Sequence, residues 1–117
     1  MPPWSLLRFS FALTTVCQGG AAESAISGEV VETYCWAKLR VGGQDHAACG
    51  IKCAKRGVPI AVFDENSRTI HILLPGQDKT SIPPGLIDSM GKRVTIRGEV
   101  IKRAGGNFLS VQSWQRT

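Results

Sequence analysis

From Arg93 to Trp114 the chain reads RVTIRGEVIKRAGGNFLSVQSW, two long runs in which apolar and polar residues alternate, joined by Ala104 to Asn107. A period of two puts one set of side chains on each face of a strand, so the segment predicts a hairpin of strands Arg93–Lys102 and Phe108–Trp114. Gly98 falls inside the first run, where a bulge or sharp bend lets a long strand curl. Curling toward closure suits a chain this small, because a closed sheet leaves no unpaired edge.

The segments before the hairpin supply the other strands. Ile26 to Trp36 (ISGEVVETYCW) is rich in β-branched and aromatic residues and reads as a first strand. Gly42-Gly43 breaks the chain, and Asp45 is placed to cap a helix from His46 to about Arg56. Gly57 stands where a helix prefers a C-terminal glycine, and Pro59 follows. Pro59–Asp64 and Thr69–Leu74 read as strands joined by the turn Glu65-Asn66-Ser67. After a loop from Pro75 to Pro84, the stretch Pro84–Met90 forms a helical turn closed by Gly91. The expected fold class is therefore mainly β: five strands, with a helix between strands 1 and 2 and a short helical turn between strands 3 and 4. This order resembles the oligonucleotide/oligosaccharide-binding (OB) fold, a small closed or nearly closed five-stranded barrel. The resemblance spans Ile26 to Trp114.

The 117 residues, 43% hydrophobic and 20% charged, have globular composition, which excludes a disordered or collagen-like chain. Phe9 to Val16 is a short apolar stretch without acids, flanked by Arg8 and by the small residues of QGGAA, and reads as a secretory signal peptide over residues 1–22. An OB-fold-like domain then occupies residues 23–117, with a periplasmic or secreted location. No apolar run approaches the ~18 to 20 residues of a membrane-spanning helix. Signal removal takes Arg8 and Cys17 and leaves a net charge of +4 instead of +5, with three cysteines, Cys35, Cys49 and Cys53. An odd number in an oxidising compartment leaves one thiol over after any single disulfide, unless a metal holds all three.

The cysteines converge on the expected helix. At 100° per residue His46, Cys49 and Cys53 lie within an arc of about 60°, and Cys35 can face them from the end of the first strand. Along the axis His46 and Cys53 are about 10.5 Å apart, too far for one ion on a regular helix. The workable sets are Cys35 with His46 and Cys49, or Cys35 with Cys49 and Cys53; all four require His46 on the loop side of the helix start. Thiolate-rich donors favour zinc, copper(I) or iron over magnesium or calcium. The alternative is a disulfide from Cys35 to Cys49 or Cys53 that staples the helix to the barrel. A third reading makes Cys49, in the first helical turn and close to His46, a reactive thiol.

The arrangement of signal peptide, Tyr34-Cys35, His46-x-x-Cys49-x-x-x-Cys53, Gly-x-Pro and closing hairpin resembles small exported bacterial OB-fold proteins, a group without a firmly assigned function. The His-x-x-x-Tyr motif of the exported haem chaperones is lacking, and the two methionines fall outside a copper-chaperone pattern. The expectation is an exported binding protein with a Cys/His site for zinc or copper. A disulfide-stapled ligand- or protein-binding module and a thiol-redox accessory protein are the alternatives. No Ser/His/Asp set, carboxylate pair or phosphate loop points to an enzyme. His71 reads as a hydrogen-bonded histidine of the barrel. Trp36, Phe63, Phe108 and Trp114 read as core, and Arg93, Arg97 and Lys102 as a solvated strand face. The expected partner is a protein or a small ligand, not nucleic acid.

Overall fold

The computed structural model describes residues 23–117; the expected signal peptide, residues 1–22, lies outside them. The strands are β1 Glu23–Glu32, β2 Ile60–Asp64, β3 Thr69–Leu74, β4 Arg93–Arg103 and β5 Gly106–Arg116. Helix α1, Ala47–Lys55, lies between β1 and β2, and helix α2, Pro84–Asp88, between β3 and β4.

The five strands close into a ring. β1 serves two neighbours along its length: Glu23 to Glu29 pair with β4, and Glu29 to Glu32 pair with β2, both antiparallel. β2 continues antiparallel to β3, β3 runs parallel to β5, and β5 returns antiparallel to β4. The register of β4 against β5 shifts between Arg97 and Gly98, as the interrupting glycine predicted. A Cβ at Gly98 would lie 1.9 Å from the Ser110 carbonyl oxygen, so only glycine admits this approach.

Alternation fills the inside of the ring. Val94 and Ile96 of β4 are fully buried while Arg93 and Arg97 are exposed, and Leu109 and Val111 repeat the pattern in β5. Val30, Val62 and Leu73 complete the core, and Leu86 of α2 packs into it with no exposed surface. Burial of that one leucine stabilises the fold by about 1.5–3 kcal/mol.

Several boundaries differ from the sequence reading, three of them for a visible local reason. β1 stops at Glu32 instead of reaching Trp36, because the Glu32 carboxylate accepts the backbone N–H groups of Tyr34 and Cys35. That capture turns the chain into a helical segment in spite of the β propensity of Thr33, Tyr34 and Trp36. The cap position of α1 is His46 and not Asp45, which lies within a preceding 3₁₀ turn, Gln44–His46. The hairpin turn is tighter than expected: only Ala104 and Gly105 separate β4 from β5, with φ of +51° and +84°, the sign pattern of a two-residue hairpin turn. At the other end of α1, Gly57 takes φ +105° and donates to the Ala54 carbonyl, as a terminating glycine should.

His71 also departs from expectation. It is buried, 5% exposed, but its Nδ1 has no hydrogen-bond partner among the described residues. Burial lowers its pKa below the usual 6.5, against the opposing charge of Asp64 and with the help of Lys102. The unfolded chain therefore takes up this proton first as pH falls, so the histidine's contribution to stability is lost on acidification through about pH 6.5. Urea denaturation of His71→Leu should show a smaller loss of stability between neutral pH and pH ~5 than the parent chain. Equal losses in the two proteins would refute the assignment.

Candidate metal centre

The site begins where β1 ends. Glu32 is 3% exposed. It acts as an N-cap, its two carboxylate oxygens holding the first amides of the turn that follows, with Cys35 N donating at 3.2 Å. Cys35 opens a π-helical segment, Cys35–Leu39, that ends at Arg40 in the left-handed region, φ +60°. The Val41 amide then donates back to the Cys35 carbonyl at 3.1 Å. This tight fold-over keeps Cys35 buried while Tyr34 and Leu39 point outward. The returning chain is held by Glu29, whose Oε2 accepts the Gly43 amide at 2.6 Å.

α1 supplies the other two sulfurs. Its buried residues are Gly50 and Ala54, four apart on one face. A Cβ at Gly50 would stand 2.9 Å from Met90 Cγ, so the glycine lets the helix approach Met90 and, at 3.6 Å, the Glu32 Cβ. Cys49 and Cys53 each precede one of these contact residues and so lie on the adjoining face. Cys49 is exposed and Cys53 half-buried.

The three sulfur atoms lie within 4.8 Å of one another, and all three cysteines are free thiols in this structure. Three thiolates on one tetrahedral ion with bonds of about 2.3 Å would stand about 3.8 Å apart, a small contraction from this spacing. Of the four donors expected from sequence, Cys35, Cys49 and Cys53 come together and His46 does not join that group. Cys35 arrives from the helical turn beyond β1 and not from the strand itself. His46 instead lines a cavity of about 10 Å³, room for one water molecule, together with Glu29, Glu32, Cys35 and Met90. Its Nε2 is buried with no hydrogen-bond partner among the described residues.

Glu32 is the residue that sequence reasoning passed over. Its signal was an acid at the end of an otherwise apolar run, Val30-Val31-Glu32, all three of which are buried. The nearby Glu32 carboxylate, as a hydrogen-bond acceptor for the protonated thiol, together with burial and the negative charges of Glu32 and the two other cysteines, pushes Cys35 up from the usual 9.0 to about 12. Partial burial pushes the Cys53 thiol up as well, with Glu32 and Cys49 adding to the effect.

The remaining candidates are less concentrated. Trp36 packs on Phe63 with ring centroids 5.4 Å apart and planes inclined at 46°. Phe108 and Trp114 are half-buried, whereas Arg93, Arg97 and Lys102 are exposed on β4, with Arg93 paired to Glu65 at 3.1 Å. Comparison of the chain with protein-family models, with curated proteins and with solved structures gives no match.

A rise from 9.0 to about 12 leaves on the order of a thousandfold less thiolate at Cys35 at any pH below both values. In the metal-free folded protein near pH ~8, iodoacetamide should therefore label exposed Cys49 first and Cys35 last, followed by peptide mass mapping. Glu32→Gln should accelerate labelling of Cys35. Labelling of Cys35 in the parent chain as fast as Cys49 would sink this account of the site.

Proposed function

We propose that the chain is an exported small binding protein whose Cys35–Cys49–Cys53 cluster holds a transition metal. The observation that carries the reading is the convergence of three sulfurs from two separate elements within 4.8 Å. The donors fit the group, since soft thiolates select zinc, copper(I) or iron over hard cations. His46, whose buried Nε2 lacks a partner and which shares a cavity with Cys35, is the donor at hand for a fourth position. An external ligand is the other source of a fourth donor, and that arrangement suits delivery more than a purely structural site. Bound there, the ion supplies an acceptor for thiolate electron density. The chain's own residues do the rest: Glu32 fixes the Cys35 backbone and raises its thiol pKa, and α1 holds Cys49 and Cys53 one turn apart.

The scaffold reading is an OB-type barrel. It is supported by the ring order β1-β2-β3-β5-β4, by the parallel pairing of β3 with β5 and by the helix between β3 and β4. Export rests on the signal-peptide character of residues 1–22 and makes the compartment periplasmic or extracellular. The same short sulfur separations support the runner-up, a disulfide between Cys35 and Cys49 or Cys53 in a binding module for a protein or small ligand.

Elemental analysis and intact mass of the purified mature protein separate the two. The metal reading expects stoichiometric zinc or copper, three titratable thiols after denaturation, and loss of the metal in Cys49→Ser and Cys53→Ser. A chain about 2 Da lighter than its fully reduced mass and free of metal would overturn it in favour of the staple.

A further inference from the structure

The charge of this protein is not spread over its surface. Among the described residues, the connection between β1 and β2, residues 33–59, carries five Lys/Arg and one Asp, a net +4. The other described residues carry eight Lys/Arg and eight Asp/Glu, a net charge of zero. The five cations, Lys38, Arg40, Lys52, Lys55 and Arg56, are all exposed. None is paired: the ion pair among the described residues is Arg93 with Glu65, outside this connection.

Apolar exposure is concentrated in the same connection. Tyr34 (52%), Leu39 (51%) and Val41 (36%) are the exposed large hydrophobic residues of the described chain, and they fall within eight consecutive positions around the Cys35–Leu39 turn. Beside them Trp36, Arg40 and Val41 face Phe63 and Glu65 across a groove of about 600 Å³ that Glu29 also lines. Excess charge of one sign together with clustered apolar side chains around a concavity is the make-up of a recognition surface, because neither feature stabilises the ring itself.

We propose that the β1–β2 connection is the docking face for a partner protein whose contacting surface is acidic and presents an apolar side chain to the groove. Charge complementarity selects the acid: five unpaired cations attract an acidic surface and steer its approach. The concave shape and its wall select a protein over a bilayer. Glu29 on the groove would oppose the uniform negative charge of an anionic lipid surface, whereas a folded partner places its acids over the cations and its apolar group in the groove. Exposed Cys49 belongs to the same connection. The proposal does not depend on a metal in that cluster, because it rests on charge and exposure alone.

In-cell photo-crosslinking of the full chain tests it, with benzoylphenylalanine placed either at position 39, on the docking face, or at position 115, on exposed β5. Expected is a protein adduct at position 39 that is absent at 115, is lost in K52E/K55E/R56E, and returns when the crosslinked acidic residues of that partner are changed to lysine. K38E/R40E, on the surface turn, is a second charge reversal that must give the same loss if the helix variant fails to fold, as judged by circular dichroism. An adduct that survives both reversals, or equal adducts at 39 and 115, would overturn the proposal. So would flotation of the purified protein with phosphatidylglycerol-containing vesicles that Leu39→Glu abolishes, which would assign the face to a membrane. Metal content of the charge-reversed variants, measured alongside, should be unchanged, which keeps this test separate from that of the sulfur cluster.

Discussion

The interaction on which the site depends is the capture of two backbone amides by the buried carboxylate of Glu32. An interior carboxylate is costly unless its oxygens are hydrogen-bonded, and here the partners are the Tyr34 and Cys35 amides. One set of bonds therefore does three things: it ends β1, starts the helical turn and sets Cys35 in a buried position. Glu29, three residues earlier on the same strand, holds the returning chain at Gly43. Two acids of a single strand thus pin both ends of the excursion that carries Cys35, and α1 enters from a position already fixed.

The division of labour between ring and connection follows. The ring is built from alternating strands whose inner residues are aliphatic and whose charges cancel, and its closure leaves little backbone hydrogen bonding to satisfy elsewhere. Nothing in it calls for cysteine or for excess cations. Both are gathered in residues 33–59, a segment attached by Thr33, whose amide and hydroxyl both bond the Pro59 carbonyl, and by the contact of Gly50 with Met90. A rigid frame with a chemically loaded connection is a general way to place a site without disturbing a core.

What could be read from sequence was what local pattern controls. β3 was legible to the residue, β4 and β5 were legible from their alternation, and Gly98 marked the bulge because no other residue fits beside the Ser110 carbonyl. The end of β1 was not legible, since Thr33, Tyr34 and Trp36 all favour a strand and the opposing term is the side chain of Glu32 reaching forward to two amides. The convergence of Cys49 and Cys53 with Cys35 could be foreseen from helical geometry. That His46 stays outside that group agrees with its axial distance from Cys53, whereas the 3₁₀ turn over residues 44–46, with its own pitch before α1 begins, was not legible.

The asymmetry of the three thiols gives the proposed centre a direction. Cys49 is exposed, Cys53 half-buried and Cys35 enclosed, its thiol pKa pushed up by Glu32 and by burial. A cation arriving from solvent would meet Cys49 first, and ligation by Cys35 would require loss of its thiol proton. Metal binding is coupled to proton release in general. Here the coupling would be strongest at Cys35, the ligand that the end of β1 positions, with Cys53 raised as well, so the residue that shapes the backbone would also bear on loading. Glu32 is thereby tied to both fold and chemistry: a side chain that only capped the turn would position Cys35, but without the carboxylate charge it would not hold the thiol's proton as firmly.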